Sequence, residues 1–139
     1  MNEPSIQENK RIAIELSLAI ARGDWSAVDA LLAPDFAYVG DGRPLSRAQY
    51  IAFMRDVLCV AMTEMDMKFT RTVAEGELVA LEYANEMTHS GPFVGIAPSQ
   101  RRVTATGHLI RQVRDGRVVA EWQTTNAGAL IAQLQGASR

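Results

Sequence analysis

His89-Ser-Gly-Pro-Phe-Val-Gly-Ile-Ala-Pro-Ser-Gln-Arg-Arg-Val103 joins two β-rich segments through a Gly/Pro-rich turn longer than a hairpin needs. Leu78 to Thr88 precedes it and Val103 to Arg114 follows, each long enough to cross a whole sheet. Beyond them, Arg114-Asp-Gly-Arg117 reads as a tight hairpin, because Asp-Gly supplies the positive-φ positions such turns require. Val118 to Thr125 is then a last strand, and Ala127 to Leu134 a short terminal helix or turn. Upstream, Met65, Met67 and Phe69 alternate with polar residues until the turn at Glu75-Gly76-Glu77. These segments read as one curved sheet around a small-molecule pocket.

The first half of the chain has helical periodicity instead. Ser5-Ile-Gln-Glu8 has capping-box spacing, and Ile12, Leu16, Ala19 and Ile20 follow until Gly23 stops the helix. Asp24 is placed to cap a short second helix that buries Trp25, Val28, Leu31 and Leu32 and ends before Pro34. After the turn Gly40-Asp-Gly-Arg-Pro44, a second capping box, Ser46-Arg-Ala-Gln49, opens a third helix. Its residues Tyr50, Phe53, Met54, Val57, Leu58 and Ala61 form a wide apolar stripe that must lie on something. Helices first and antiparallel strands after predict an α+β fold: a cone-shaped, antiparallel or mixed sheet wrapped around the N-terminal helices.

The 139 residues make one domain, 1–139, with no repeat, linker or low-complexity tract. A net charge of −2 gives no basic field for nucleic acid or an anionic membrane surface. No secretion signal opens the chain and no apolar run is long enough to span a bilayer, so the expected location is the cytoplasm. The single cysteine, Cys59, lies on the stripe of the third helix and reads as a core thiol. There is no Gly-rich phosphate loop and no Gly-x-Ser-x-Gly, and no cofactor is expected. Two histidines and one cysteine have no zinc spacing, and no metal is expected.

The order of helix, Gly-Asp-Trp helix, Leu31-Leu-Ala-Pro-Asp-Phe36, Gly42-Arg-Pro-Leu-Ser46, helix and strands resembles the SnoaL-like polyketide cyclases. These belong to the superfamily of nuclear transport factor 2 and ketosteroid isomerase. Gly91-Pro-Phe-Val-Gly-Ile-Ala-Pro98, Gly107, Asp115-Gly116, Glu121-Trp122 and Gln133-Leu134 carry the likeness, which covers nearly the whole chain. It implies a pocketed cone and leaves the reaction open, since one fold hosts many chemistries. The cyclases place an acid/base aspartate four residues after the tryptophan of Glu-x-Trp; here that position is Asn126, and an amide exchanges no proton near neutral pH. The two oxyanion donors of ketosteroid isomerases correspond by register to Leu16 and His108, and their base to Gly40, beside Asp41.

On that resemblance His108 points into the cone, where an imidazole can serve as general acid or base. The alternative is a strand histidine bonded to a neighbour or exposed on the other face. Asp41, in a Gly-flanked turn at the pocket rim, is the second catalytic candidate; it can equally be there to make the turn. Tyr38, His89, Trp122 and Asn126 are candidates for holding substrate: Tyr38 and Trp122 as apolar walls with polar tips, His89 at the mouth, Asn126 through its amide. Asn126 can equally cap the terminal helix, and His89 can be a plain loop residue. Glu82 and Glu86 are expected to pair with Arg111 and Arg114 across strands. The six methionines fit core filling or an adaptable pocket wall.

The expected ligand is a small apolar organic compound with a carbonyl or hydroxyl group. The leading expectation is a cofactor-independent isomerase, lyase or cyclase that works by proton transfer. The rivals are a non-catalytic binding module that lost the cyclase aspartate at Asn126, and a purely structural dimerisation domain. The outer sheet face also needs cover. Val79, Leu81, Tyr83 and the residues around Val118 and Trp122 are too apolar for a solvated face, which predicts a homodimer packed sheet to sheet.

Overall fold

The computed structural model describes residues 2–136. Helix α1 spans Glu3–Ala21 and α2 spans Trp25–Leu31. The N-cap of α1 is Asn2, whose side chain accepts from the Ser5 backbone N–H, so the start lies one turn upstream of the Ser5 capping box expected from sequence. Asp24 caps α2 as expected, accepting from the Ala27 N–H.

The helical half holds an unexpected hairpin, β1 (Leu32–Gly40) and β2 (Arg43–Ser46), turning on Asp41 and Gly42 with both φ positive. Helix α3 (Arg47–Phe53) starts with the predicted Ser46/Gln49 capping box. It runs through a π-helical turn, Met54–Leu58, into the short α4 (Cys59–Ala61). Strands β3 (Met62–Glu75), β4 (Leu78–His89), β5 (Arg102–Arg114) and β6 (Arg117–Thr125) follow, and α5 (Ala127–Leu134) closes the fold. Among the described residues no helix is long and apolar enough to cross a membrane.

The six strands form one mixed sheet in the order β2-β1-β6-β5-β4-β3. All neighbours are antiparallel except β1 and β6, so the hairpin from the helical half extends the sheet beyond its last sequential strand. The inner face carries Phe36 from β1, Val79, Leu81 and Tyr83 from β4, Leu109 and Val113 from β5, and Val118 from β6. Against it pack Ile12, Leu16 and Ile20 of α1, Val28 of α2, and Tyr50 and Met54. Val79, Leu81, Tyr83 and Val118 thus belong to the core and not to an outer dimer face, which corrects the expectation for these residues.

The outer face has a different apolar row. Pro44, Val39, Trp122, Ile110, Ala80 and Val73 stand at successive register positions across all six strands. Val39, Trp122, Ile110 and Val73 are 38 to 65% exposed, unusual for four large apolar side chains in one line.

Candidate functional site

Beyond the packed end of the core, helix and sheet diverge around a cavity of about 470 Å³. The π-turn explains much of its wall. One extra residue per turn swings Phe53, Met54, Val57 and Leu58 together toward the sheet, where all four line the space. Met62, Met65 and Met67 of β3 and Met87 of β4 line it too. Five of the six methionines therefore meet in one cavity wall, which makes it apolar and adaptable.

One line of polar groups runs along a side of this largely apolar space. The Tyr38 hydroxyl donates to Gln123 Oε1 at 3.4 Å, and Gln123 Nε2 donates to the Tyr83 hydroxyl at 2.7 Å. The Tyr83 hydroxyl also stands 3.5 Å from Thr125 Oγ1. Two glycines make room for this rail. A Cβ at Gly40 would fall 1.9 Å from the Tyr38 hydroxyl, and one at Gly107 would fall 2.7 Å from that of Tyr83. Burial, then the nearby carboxylates of Glu121 and Asp41, push the Tyr38 phenol above its ordinary pKa. Burial likewise raises Tyr83, so both are hydrogen-bond donors throughout the neutral range.

Asp41 lines the cavity at the end of this rail. It is exposed at the mouth, in the left-handed region at φ 49°, and its Oδ1 accepts from the Thr125 backbone N–H at 2.9 Å. That bond ties the β1–β2 turn to the end of β6 and holds the carboxylate beside the opening. Around the opening stand Phe53, Val57, Val94 and Ile131, all lining the cavity and all at least 36% exposed. Val94 comes from the Gly/Pro loop, where Phe93 and Ile96 exchange backbone hydrogen bonds around Val94-Gly95.

The deep end is charged but sealed. Arg111 Nε donates to Glu121 Oε1 at 2.7 Å, and the other end of the guanidinium donates to Ser17 Oγ at 2.6 Å and to the Ala13 carbonyl. The Tyr50 hydroxyl also donates to Glu121 Oε1, at 3.3 Å. Burial opposes the charge on Arg111, yet Glu121 and Tyr50 hold its pKa above the usual value. Burial, reinforced by Glu121, pushes the Tyr50 phenol well up.

Tyr38 and Asp41 thus meet at the cavity, and the other sequence candidates do not. His108 faces outward, its side chain 72% exposed, with Nε2 2.9 Å from Glu82 Oε2; the expectation that it enters the cone is corrected. The inner positions of β5 are Val103, Ala105, Gly107, Leu109, Arg111 and Val113, and His108 falls between two of them. Trp122 is likewise outward and 44% exposed, because Glu121 takes the inward position. Asn126 flanks a shallow outer depression with His108; it stands at the N-cap of α5 but makes no side-chain cap bond. His89 is fully buried and outside the cavity lining, with Nδ1 3.2 Å from Ser99 Oγ. It anchors the loop through backbone bonds with Gln100 and Arg101. Leu16 lies in the core, and no cluster of three or more His, Cys, Asp or Glu suited to a metal forms among the described residues.

The expected ion pairs are redistributed as well. Glu82 takes Arg71 and His108, Arg114 takes Glu77, and Arg111 turns inward to Glu121. Sequence reasoning missed Arg111, Glu121, Gln123 and Asn85 as members of the site. The available signal was the alternation Val103, Ala105, Leu109, Val113 on β5, which carries Arg111 inward with it.

A family model for the SnoaL-like polyketide cyclases matches residues 11–134. The chain belongs to the SnoaL-like polyketide cyclase family. AclR from Streptomyces galilaeus, a hydroxylase candidate, superposes with a TM-score of 0.85 at 26% identity, covering 96% of this chain and 99% of AclR. IdmH from Streptomyces antibioticus, a polyketide cyclase candidate, gives 0.80 at 26% identity over 96% and 99% of the two chains. An epoxide hydrolase of the LEH-like type from M. tuberculosis shares the fold at 19% identity and a TM-score of 0.75, over 95% of this chain and 92% of its own. No curated protein sequence matches the chain. The SnoaL-like fold accounts for the cone, the helix stripe and the Gly/Pro loop at the mouth. It does not choose among cyclase, hydroxylase and hydrolase chemistry.

Proposed function

We propose that this SnoaL-like protein is a cofactor-independent enzyme acting by proton transfer on a small, flat, apolar carbonyl compound bound in the cone. One observation carries the reading: neutral hydrogen-bond donors line one side of a largely apolar cavity and end at the carboxylate of Asp41. An apolar space with a few convergent polar groups is the usual form of a small-molecule site.

In this reading the ligand passes the apolar rim and buries its rings against the methionine wall. Its carbonyl oxygen lies toward Tyr38 and Tyr83. Asp41 removes a proton from the carbon next to the carbonyl, and the electron pair moves onto oxygen as an enolate. A phenolic O–H then strengthens its hydrogen bond to the developing oxyanion. Return of the proton to another carbon gives an isomer, while attack of the enolate carbon on a second carbonyl gives a ring. His108, on the outer face, takes no part.

The outer apolar row supports a homodimer through the sheet: a second copy laid across it covers Val39, Trp122, Ile110 and Val73 at once. The site reading is tested by titrating β-tetralone and its carbonyl-free analogue tetralin. Tyr38→Phe combined with Tyr83→Phe is expected to weaken β-tetralone about tenfold and leave tetralin unchanged. Equal losses for both compounds, or for neither, contradict the rail as the carbonyl site.

A further inference from the structure

Asn85 stands two residues beyond Tyr83 on the inner face of β4 and lines the cavity at its methionine wall. Only 6% of the residue is exposed. Its Nδ2 donates to the Met65 thioether at 3.5 Å, a weak acceptor, and its Oδ1 has no hydrogen-bond partner. Its cross-strand neighbours are Met67 on β3 and Ala105 on β5, neither of which brings a side-chain donor. A leucine of the same shape would complete this wall without leaving a buried carbonyl unpaired. An amide kept in such a place has an unmet need for a donor, and the cavity is where one can come from.

We propose that Asn85 is a specificity-determining residue that accepts a hydrogen bond from an O–H or N–H of the ligand; this rests on the cavity being the ligand site. Oδ1 is shut off from solvent in this structure, so the terminal amide turns to meet the ligand. That torsion is soft and roughly two-fold, and the methionine neighbour that holds Nδ2 gives way easily. The two sides of the cavity then have opposite requirements. Tyr38 already donates to Gln123, so the proton the rail has to offer is that of Tyr83, which accepts from Gln123 and needs an acceptor of its own. Asn85, by contrast, accepts and needs a donor. The matching ligand class carries both, a carbonyl at one edge and a hydroxyl or amine hydrogen at the other.

The test uses a planar pair that differs only in the donor, 2-hydroxyfluorenone and 2-fluorofluorenone, titrated into the full-length protein. Wild type is expected to bind the hydroxy compound at least tenfold more tightly, and Asn85→Leu to remove that preference while keeping the fluoro compound's affinity. The side-chain amide resonances of Asn85 in wild type are expected to shift with the hydroxy compound and not with the fluoro one, a readout that needs no variant to fold. Equal affinities in wild type, or a preference that survives in Asn85→Leu, overturn the assignment of Asn85 and leave the cavity reading intact. Binding of neither compound to wild type overturns the cavity reading, and this inference with it.

Discussion

Arg111 and Glu121 form an ion pair at 2.7 Å across β5 and β6, with side chains only 3% and 0% exposed. They face each other in register, and Tyr50 and Ser17 supply further hydrogen bonds from the helices. This pair joins the sheet to both α1 and α3 at the deep end of the cavity. Removing one partner leaves the other as an uncompensated buried charge. Glu121→Leu is therefore expected to destabilise the fold by about 3–5 kcal/mol, whereas Arg111→Met together with Glu121→Leu costs far less. Urea denaturation of the two variants and wild type checks the difference. A double variant that loses at least as much as Glu121→Leu would contradict the uncompensated buried charge as the cause of the single variant's loss.

Acid stability follows from the outer carboxylates. Hydrogen bonds from Arg114 and Gln112 lower the pKa of Glu77; those from Thr70 and His108, with Arg71 nearby, lower that of Glu82. A carboxylate whose folded pKa is depressed stabilises the fold fully above its ordinary value of 4.5 and loses that contribution as pH falls through the folded value. The urea midpoint is expected to be level through neutral pH and to fall below pH 4.5. Glu77→Gln combined with Glu82→Gln flattens that fall. An unchanged acid profile in the double variant contradicts the assignment.

Gly107 clears the path of the Tyr83 phenol, since a Cβ there would also come within 2.4 Å of the Thr124 carbonyl. Gly107→Ala must push backbone as well as side chain, and a loss of about 1–3 kcal/mol is expected. β-Tetralone binding is expected to weaken with it, because the rail loses the Tyr83 hydroxyl position. A variant as stable and as tight-binding as wild type would show that the glycine is incidental.

The outer apolar row gives a prediction for assembly. Light scattering at micromolar concentration is expected to find twice the monomer mass for wild type, and the monomer mass for Ile110→Asp with Trp122→Asp. A wild-type monomer would contradict a sheet-to-sheet pair.

The cone, the third helix and the long strands were legible because their periodicity extends over many residues. The hairpin of β1 and β2 was not, since Pro34-Asp35 interrupts its start and its partner β6 lies far along the chain. The faces of β5 were harder still. Around His108 one phase reads Leu109, Arg111, Val113 and the other His108, Ile110, Gln112, so each mixes polar and apolar residues. The buried arginine makes the inner face look like an outer one near His108. The longer alternation from Val103 to Val113 gives the phase, and the pairing with Glu121 shows why an arginine can lie on it. On β6 the same pair reverses the expectation for Trp122, because the register shift beside Val118 carries Glu121 inward. The place of Asp41 and Tyr38 beside the cavity was legible because the Gly-flanked turn itself was, whatever the phase of β5.

The central claim is that Asp41 moves a proton within this cavity, and exchange at carbon tests it most directly. β-Tetralone is incubated with the protein in D₂O, and loss of its α-proton signals is followed by NMR. Wild type is expected to accelerate exchange, and Asp41→Asn to slow it at least about a hundredfold. Asparagine tolerates the positive φ and keeps the oxygen that accepts from the Thr125 N–H, so binding and stability are expected to stay unchanged. Wild type that binds β-tetralone without accelerating exchange, or Asp41→Asn that exchanges as fast as wild type, contradicts the account.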